Sequence, residues 1–596
     1  MADRLPSRAR TFRARLSVLA VSSVSAATAF VLFLQFGAAD GLDWVDYTRS
    51  ALILASTFWL AWGAGQGLLG LTTRPPLPPR SDGPPTARTV LLVPVYNEDP
   101  VVTFARVAAM DASLAATGHG DLFSFAILSD TRNEDIARRE AHWALRLIRD
   151  RDAEGRIFYR RRDQNIGKKT GNIEDFILRS GAAWEFALIL DADSLMEGET
   201  IVEMVRRMQA EPRLGLLQTL PRVINARSRF GRTMQFSASF YSPGFARGLA
   251  MMQGETGPFW GHNAMMRIRA FAESCGLPPL AGRPPFGGHI LSHDYVEAAL
   301  LARAGWIVRL DDDLDGSYEE GPENIVDHAK RDRRWCQGNL QHARLVGAPG
   351  LRFWSRWVFV QGILAYVAPL FWLGFMFASV AAQMLAEPPD YFPLPNWPFP
   401  VFPPDETAKA IGLAVGIFGL LFLPKLLIAA DAAASGRARG FGGAGRALAS
   451  TLVELVQSSV MAPVFLMFQT RAVLQVLTGT DGGWPPNNRG DGRLSLAEAW
   501  AASRWISLTG VVSLILLDWL APGLLLWMLP VALPMALAPV IVAWTSRPSE
   551  TALMTVPTEL VTPPVVAAHQ AVLRHWQADP APDLLPAGLS PLILRG

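Results

Sequence analysis

Charged and aromatic side chains follow several short β-rich runs in the middle of the chain, at the points where those runs end. In chain order they are Tyr96 and Glu98 after TVLLVPV (89–95), Asp130 after FSFAILS (123–129), Lys168 and Lys169 after RIFYRR (156–161), and Asp191 and Asp193 after FALIL (186–190). In parallel α/β sheets, ligands bind beyond the carboxyl ends of the strands. A single Asp at a strand end is usually a turn or helix cap, so only the joint placement of these residues indicates a functional site.

Asp191 and Asp193 form an Asp-x-Asp pair that suits a divalent cation. Mg²⁺, or Mn²⁺, is usually held by one or two carboxylates together with substrate phosphates. A cation held in this way neutralises charge on a departing phosphate. Lys168 or Lys169 is expected to face the same diphosphate. The run GKKT is not a P-loop, because Arg162 stands where the first glycine belongs and Lys169 where Ser or Thr belongs, which argues against an ATPase.

Asp294 lies beside His293 in the segment SHDYVEA. A carboxylate placed opposite a leaving group would serve as the general base for an attacking hydroxyl. The alternative is that Asp294 caps the helix predicted for YVEAALLARAG, since Asp is a good N-cap residue. The residues alone leave both interpretations open.

The segment PFWGHN places Trp260, His262 and Asn263 close together. Aromatic platforms with neighbouring hydrogen-bonding groups are suited to sugars, because one side chain then offers an apolar face and its neighbours offer polar partners. The alternative is a turn in the core.

A second aromatic segment, KRDRRWCQGN, has Arg331, Arg334 and Trp335 at helical spacing, so that they share one face. Arg binds phosphate bidentately, and Trp can stack on a sugar. The alternative is a positively charged patch before a membrane span, which would explain the arginines but not Trp335.

Strands that alternate with helical patterns must position these residues. The five runs, with LGLLQTL (214–220) as the last, are separated by helical segments such as 133–150. This order predicts an α/β domain with a parallel sheet over residues 86–346.

Composition places that domain between membrane segments. Half of the 596 residues are hydrophobic and only 18% are charged, against roughly 25% in average soluble domains. The net charge of +2 does not indicate a nucleic-acid partner, which usually needs a basic face. Two cysteines, Cys275 and Cys336, are too few for a disulfide scaffold and suit a reducing cytosol.

Residues 1–15 are basic and precede two predicted spans, 16–37 and 51–71. A signal peptide is the alternative, but the first apolar stretch is longer than the typical h-region of about 7–15 residues, and a second span follows. The acidic link between the spans and the positive-inside rule place the N-terminus and the central domain in the cytoplasm.

The segment 352–545 is predicted to contain interfacial helices and about four spans. The spans are expected at 358–385, 409–430, 503–521 and 523–545. The apolar stretch 447–477 is too short for two crossings of about 20 residues each, and one crossing would put the arginines of the loop 478–504 outside. We therefore predict re-entrant or interfacial helices there, six full spans in total, and a Pro-rich cytoplasmic tail at 546–596 that is poorly ordered or loosely docked.

The combination of Asp130, Asp191-Ala-Asp193, Asp294 and Arg331-Asp-Arg-Arg334-Trp335 resembles the D, DxD, D, (Q/R)xxRW signature of processive family 2 glycosyltransferases, to which cellulose and hyaluronan synthases belong. The runs VPVYNEDP, FWGHNAMMR, SHDYVEA, RDRRWCQGNLQH and TGTDGGWPPNNR most closely resemble the glucans biosynthesis glucosyltransferase H family. The resemblance covers about residues 16–545. It implies a GT-A (Rossmann-like) domain inserted in a multi-span helical protein of the bacterial inner membrane.

The resemblance implies a role for each matching residue. Tyr96, Glu98 and Asp130 would contact the nucleotide; Lys169, Asp191 and Arg334 the diphosphate; Asp191 and Asp193 the metal; Asp294 would be the base; Trp260, His262, Asn263, His293 and Trp335 would bind the acceptor. His293 stands where cellulose synthases have Glu, which puts acceptor positioning in doubt. The loop with Trp484 and Arg489 would close over UDP.

The implied reaction is an inverting transfer from UDP-glucose to a growing β-1,2-glucan that leaves through the later spans, as the backbone of osmoregulated periplasmic glucans. The implied partners are a periplasmic glucan-processing protein and acyl carrier protein, besides the lipid bilayer. One alternative is another processive synthase, such as one for β-1,4-glucan. A second, from another class, is a non-catalytic scaffold or transporter, against which the spans carry few ionisable residues, Lys425 among them.

Overall fold

The computed structural model describes residues 8–37, 42–73, 78–386, 391, 398–400, 407–480 and 492–578. The strands are β1 Thr89–Val95, β2 Phe123–Ser129, β3 Ile157–Arg161, β4 Phe186–Ile189, β5 Leu195–Met196, β6 Leu214–Gln218, β7 Arg222–Ile224, β8 Ala264–Arg267, β9 Ile307–Leu310 and β10 Ser317–Glu320. The helices up to the end of the central domain are α1 Arg8–Gly37, α2 Trp44–Thr72, α3 Pro100–Ala116, α4 Glu134–Asp150, α5 Lys168–Ser180, α6 Gly198–Ala210, α7 Arg229–Phe240, α8 Ser242–Gln253, α9 Ile268–Ser274, α10 His293–Arg303 and α11 Ile325–Gln341. The later helices are α12 Phe353–Leu385, α13 Thr407–Ala434, α14 Ala444–Leu477, α15 Leu496–Leu520, α16 Pro522–Ala536, α17 Ala538–Thr545, α18 Pro557–Leu560 and α19 Pro564–Ala578.

The central sheet has seven strands in the order β3-β2-β1-β4-β8-β6-β9. The predicted α/β fold is confirmed, and the five predicted runs are β1, β2, β3, β4 and β6. The expectation of a parallel sheet is wrong for β8, which pairs antiparallel with both neighbours. The chain leaves β6 at the carboxyl edge and passes through α7 and α8 without a helix that crosses back over the sheet. It therefore re-enters in the opposite direction.

Helices cover both faces of this sheet. Along β1, Leu91, Val93 and Val95 belong to one apolar cluster, and Val90 and Leu92 to the other. A strand buried on both faces reads as a continuous hydrophobic run, which is why the sequence signal of β1 and β2 is strong.

Within the described residues, six helices are long and apolar enough to cross a membrane, and α16 with α17 forms a further pair bent by 59°. The six are α1, α2, α12, α13, α14 and α15. Each predicted span lies on one of these helices or on the bent pair. The segment for which we predicted no crossing lies on α14.

α14 is one continuous helix, so the re-entrant interpretation of 447–477 is wrong. It contacts the central domain near its start, in its middle and just beyond its end. Ala447 packs with the phenylalanines of α7, the Phe465 ring is 5.3 Å from that of His328 in α11, and Thr480 beyond its end accepts a 2.6 Å hydrogen bond from Arg333. The interfacial interpretation stays a prediction, and these contacts support it.

The described ends of the chain also lie against the central domain. In α1, Arg15 Nε donates to the Met252 carbonyl at 2.6 Å. In α19, the backbone N–H of Val565 donates to Glu197 at 3.1 Å, and Val565 and Val566 enter the core cluster of the sheet. These contacts support the prediction that both ends lie on the same side of the bilayer as the central domain, which stays a prediction.

The tail 546–596 is not loosely docked over the part that the structure describes, which ends at residue 578. Trp576 is only 2% exposed, its indole N–H donates to Asp150 at 2.9 Å, and its ring lies 5.1 Å from that of Trp143. The prediction failed because the prolines suggested disorder. Two of these prolines, Pro557 and Pro564, stand at the first positions of α18 and α19, where the missing N–H leaves no helical hydrogen bond unmade.

We expect Trp576→Ala to destabilise the protein by about 3–5 kcal/mol, because a buried Trp would leave a cavity in the core. The measurement is the apparent melting temperature in detergent. Val561→Ala, in the same tail but 77% exposed, is the matched control and should change stability by less than about 0.5 kcal/mol. Equal shifts in the two variants would contradict a docked tail.

Candidate active site

The register of the sheet aligns the ends of its first strands. Val95 of β1 is opposite Ser129 of β2, and Ser129 is opposite Arg161 of β3. Asn97, in the left-handed region at φ 52°, joins two of these ends: its N–H donates to Thr131 at 2.8 Å. The carboxyl edge of the sheet thus collects the residues that follow the strands, among them the half-buried Tyr96 and Glu98.

Asp130 follows β2 and is only 6% exposed. Arg162 donates to both of its carboxylate oxygens, at 2.7 and 2.8 Å, and Asn172 adds a 2.9 Å hydrogen bond. Burial raises the pKa of Asp130, and the hydrogen-bonded Arg162 offsets part of that rise. The structure thus ties Asp130 to Arg162, and its contact with a nucleotide stays a prediction.

Lys169 joins two parts of the site. Its ammonium donates to Asp191 and, at 2.6 Å, to the carbonyl oxygen of Gly261. Desolvation works to raise the pKa of Asp191, but the adjacent Lys169 and then His262 outweigh it and hold that pKa well below its usual range. Asp191 is therefore a permanent carboxylate, as a cation ligand must be.

The side chain of Gln218, at the end of β6, fixes the loop that carries Gly261 through hydrogen bonds. The Gln218 side chain accepts from the Trp260 N–H at 2.9 Å and donates to the His262 carbonyl at 3.0 Å. Gly261 has φ +85°, and a Cβ at this position would lie 3.5 Å from Asp294 Oδ2. The loop therefore brings Lys169 and Asp294 to opposite sides of one glycine.

Asp294 lies in the first turn of α10, but Ser292 occupies the N-cap position, so Asp294 is not the cap of this helix. Burial raises the pKa of Asp294, and the charge of His293 offsets part of the rise. A carboxylate of raised pKa is a stronger base than an exposed Asp.

The His293 side chain lies along its own helix, toward Glu297 one turn later. Its Nδ1 lies 3.1 Å from a carboxylate oxygen of Glu297, which is only 2% exposed. Burial works to lower the pKa of His293, but Glu297 outweighs it and raises that pKa. The structure thus pairs His293 with Glu297 beside Asp294, and acceptor binding by His293 stays a prediction.

The helix α11 brings its arginines to the same edge. The charges of Asp191 and Glu98 act on Arg334, and burial lowers the pKa of its guanidinium. The Arg331 guanidinium lies 4.5 Å from the ring centre of Trp335, which is 44% exposed. An exposed indole at the rim of the site is available to a sugar, whereas Arg334 is turned toward the carboxylates.

The residues of the segment PFWGHN differ in burial and in their hydrogen-bond partners. Asn263 is fully buried, and its amide donates to Ser317 at 2.9 Å and to the Tyr318 carbonyl at 3.2 Å. His262 lies 3.4 Å from Glu319, and Trp260 is half-buried. Asn263 therefore holds the segment to β10, and only its neighbours have surface left for an acceptor.

Several residues of the site were missed. Arg162 follows β3 directly, so the strand-end rule that singled out Asp130 would have found it. Burial, together with Asp193 and Asp191, raises the pKa of Glu319 against the opposing charge of His262. No strand-end signal in the sequence indicates Glu319, because β10 reaches the site through pairing with β5 and β7. Trp484 and Arg489 lie outside the described residues.

The donor set fits a cation shared with a substrate. Among the described residues, no cluster of three or more His, Cys, Asp or Glu side chains is placed to hold a metal alone. Asp191 and Asp193 supply hard oxygen ligands, and the remaining ligands of Mg²⁺ or Mn²⁺ would be phosphate oxygens and water.

Two family models match the chain. Residues 91–274 match glycosyl transferase family 2, and residues 186–402 match glycosyl transferase family group 2. In the fold comparison, a mannosyltransferase from Pyrobaculum calidifontis in complex with GDP-Man and Mn²⁺ aligns over 72% of this chain and 99% of its own, with a TM-score of 0.44 and 14% identity.

Curated relatives match over nearly the whole length. The glucans biosynthesis glucosyltransferase H of Cereibacter sphaeroides is 68% identical over 97% of this chain and 98% of its own. The proteins of the same name from Vibrio cholerae and Rhodopseudomonas palustris (strain BisA53) are 39% and 40% identical, over 93% and 98% of this chain and 78% and 84% of their own.

We expect Arg162→Gln to destabilise the protein by about 3–5 kcal/mol, because it leaves the buried Asp130 carboxylate without its counter-charge. The pKa of Asp130 then rises further, so the loss relative to the unsubstituted protein should grow as pH rises through the interval between the folded-state pKa of Asp130 in that protein and its higher value in the variant. The measurement is the apparent melting temperature across pH. Arg149→Gln, exposed in the last turn of α4, is the control; a loss that does not depend on pH would contradict this account.

Proposed function

The chain belongs to the glucans biosynthesis glucosyltransferase H family and is a glycosyltransferase, and from this premise we propose that it transfers glucose from UDP-glucose to a growing β-1,2-glucan. The observation that carries the proposal is the group around Lys169. This ammonium joins Asp191 of the Asp-x-Asp pair to the carbonyl of Gly261, and Asp294 lies on the other side of that glycine. A diphosphate site and a base are thus adjacent, as a single displacement requires.

In this mechanism Asp294 takes the proton of the acceptor hydroxyl. The hydroxyl oxygen attacks the anomeric carbon, the bond from that carbon to the diphosphate breaks, and UDP leaves with the electron pair. A UDP-α-glucose donor then gives a β-linkage with inversion. No second carboxylate is needed as a nucleophile, because there is no covalent intermediate.

The diphosphate is held by charges of the chain itself. Lys169 faces Asp191 and would exchange that contact for a phosphate oxygen when the donor binds. Arg334, on which the charges of Asp191 and Glu98 act, supplies a planar guanidinium suited to two phosphate oxygens. A bound Mg²⁺ or Mn²⁺ at Asp191 and Asp193 would neutralise the charge of the leaving diphosphate.

The acceptor is expected at the rim formed by Trp335, Trp260 and His262. The exposed Trp335 ring offers an apolar face to a sugar, and Arg331 holds it at 4.5 Å. Tyr96 and Glu98 lie at the end of β1, beside Asp130, and would bind the nucleoside. The loop with Trp484 and Arg489 is proposed to close over UDP.

We place the central domain and both termini in the cytoplasm of a bacterial cell, with the glucan exported across the inner membrane through the later helices. The arginines before α1 and beyond α14 support this orientation. The contacts of α14 with α7 and α11 favour an interfacial helix, which leaves six spans. A periplasmic glucan-processing protein and acyl carrier protein remain proposed partners through the family alone.

The alternatives make different predictions. A processive synthase for another linkage would share every residue described above and differ in the product. A transporter would need an ionisable group available in a span. Lys425 is already paired with Glu454 of α14, at 2.7 and 3.0 Å, which favours the enzyme.

The direct test is incorporation of radiolabelled UDP-glucose by the purified protein in lipid vesicles with Mg²⁺. We expect a polymer that a β-1,2-glucanase digests and a β-1,4-glucanase does not, and incorporation that is lost on chelation and restored by the metal. The reverse digestion pattern would establish the alternative synthase, and no incorporation from UDP-glucose would contradict the proposed donor.

We expect Asp294→Asn to reduce incorporation by about 10²- to 10⁴-fold, the usual contribution of a general base. The rate of the unsubstituted protein should fall with acid at a pH above the ordinary Asp pKa of about 4, because the pKa of Asp294 is raised. Asp121→Asn, exposed at the opposite end of β2, is the control. Unchanged incorporation in a folded Asp294→Asn protein would exclude Asp294 as the base.

A further inference from the structure

A large groove lies between α12, α14, α15 and α16, outside the site described above. Its volume is about 1060 Å³, at the upper end of the ~300–1,000 Å³ that ligand pockets usually have. Its walls are mostly apolar, with Leu373, Phe377, Val380, Leu516, Leu520 and Met528 among the lining residues. These helices are apolar enough to cross a membrane or, for α16, to form half of a bent span, and we therefore expect lipid at the open side of the groove.

One end of the groove is basic. Arg471 of α14 and Arg504 of α15 line it, and both are exposed. Among the residues that the structure describes, neither guanidinium has a carboxylate within ion-pairing distance. Arg471 lies 5.2 Å from the ring centre of Trp505, and a Trp at this level is typical of the boundary between headgroups and acyl chains.

The basic end is the end next to the central domain. Arg333 of α11 donates to Gln475, another lining residue, at 3.2 Å, and the chain just before α15 is hydrogen-bonded to the same domain through Asn324 and Gly492 at 3.0 Å. The groove therefore has its charge at the domain surface of the bilayer and its apolar walls inside.

The length of the groove suits acyl chains. Arg504 and Leu520 are sixteen residues apart on α15, which at about 1.5 Å per residue is about 24 Å. This is most of the about 30 Å thickness of a hydrocarbon core. A glucan would fit the volume, but its hydroxyls would lie unpaired against apolar walls, which is costly.

We propose that this groove binds an anionic phospholipid, with the headgroup phosphate between Arg471 and Arg504 and the acyl chains along α12, α15 and α16. Basic pockets between membrane helices at the cytoplasmic face bind anionic headgroups in this way. The inference is separate from glucose transfer, since no residue of the proposed active site lines the groove.

The test counts lipids bound to the full chain by native mass spectrometry in mild detergent, with phosphatidylglycerol or phosphatidylcholine added. We expect tight retention of phosphatidylglycerol and weak retention of phosphatidylcholine. The double variant Arg471→Gln and Arg504→Gln should bind phosphatidylglycerol about thirtyfold more weakly, since each arginine near the surface contributes about 1 kcal/mol. The control pair is Arg13→Gln with Arg439→Gln, two exposed arginines elsewhere in the chain.

A second pair of variants tests the apolar part without changing charge. Ser513→Phe fills the groove, whereas Val512→Phe changes a neighbouring residue of α15 that is 51% exposed and does not line it. We expect loss of bound phosphatidylglycerol only in Ser513→Phe. Equal binding of the two lipids, undiminished binding in the arginine double variant, or crosslinking of glucan rather than lipid to a photoreactive group at position 513 would each overturn the proposal. None of these readouts requires the protein to transfer glucose.

Discussion

One ammonium group holds the reactive edge of the molecule together. Lys169 lies in the first turn of α5, the helix that follows β3, and its side chain reaches both Asp191 beyond the end of β4 and the carbonyl of Gly261. Lys169 and Asp191 reach this edge of the sheet after parallel strands, β3 and β4. Gly261 belongs to the loop that leads into the antiparallel β8. Without that ammonium, the Asp191 carboxylate would interact with the buried Glu319 with less compensation, so the arrangement of the sheet edge depends on Lys169.

The parts of the fold and of the candidate site that could be predicted are those that depend on residues close together in sequence. Strand ends are local, so β1 to β4 and the groups that follow them could be identified from the chain alone. The position of Glu319 and the clamp that Gln218 places around Gly261 depend on strand pairing across the sheets. The direction of β8 depends on where α7 and α8 lie, and neither property has a signal within a few residues.

The same distinction applies to the membrane segments. Apolar runs reveal the helices, but α14 is long and apolar enough to cross and yet contacts the central domain from Ala447 to Thr480. In the sequence, the distribution of arginines is the signal against a crossing by this segment, and hydropathy gives no such signal. The docked tail shows the opposite failure: Pro564 begins a helix that ends near the buried Trp576, so proline content was a poor guide to order.

Two carboxylates near one lysine can perform two tasks only if their pKa values differ. Asp191 is in direct contact with Lys169, which outweighs desolvation and keeps the pKa low, so the group stays an anion for a cation to bind. For Asp294, burial outweighs the opposing charges of His293 and Lys169 and raises the pKa. Environments that push two titratable groups apart in this way assign one to charge and the other to proton transfer. In the proposed mechanism this difference leaves Asp191 to the cation and makes Asp294 the base.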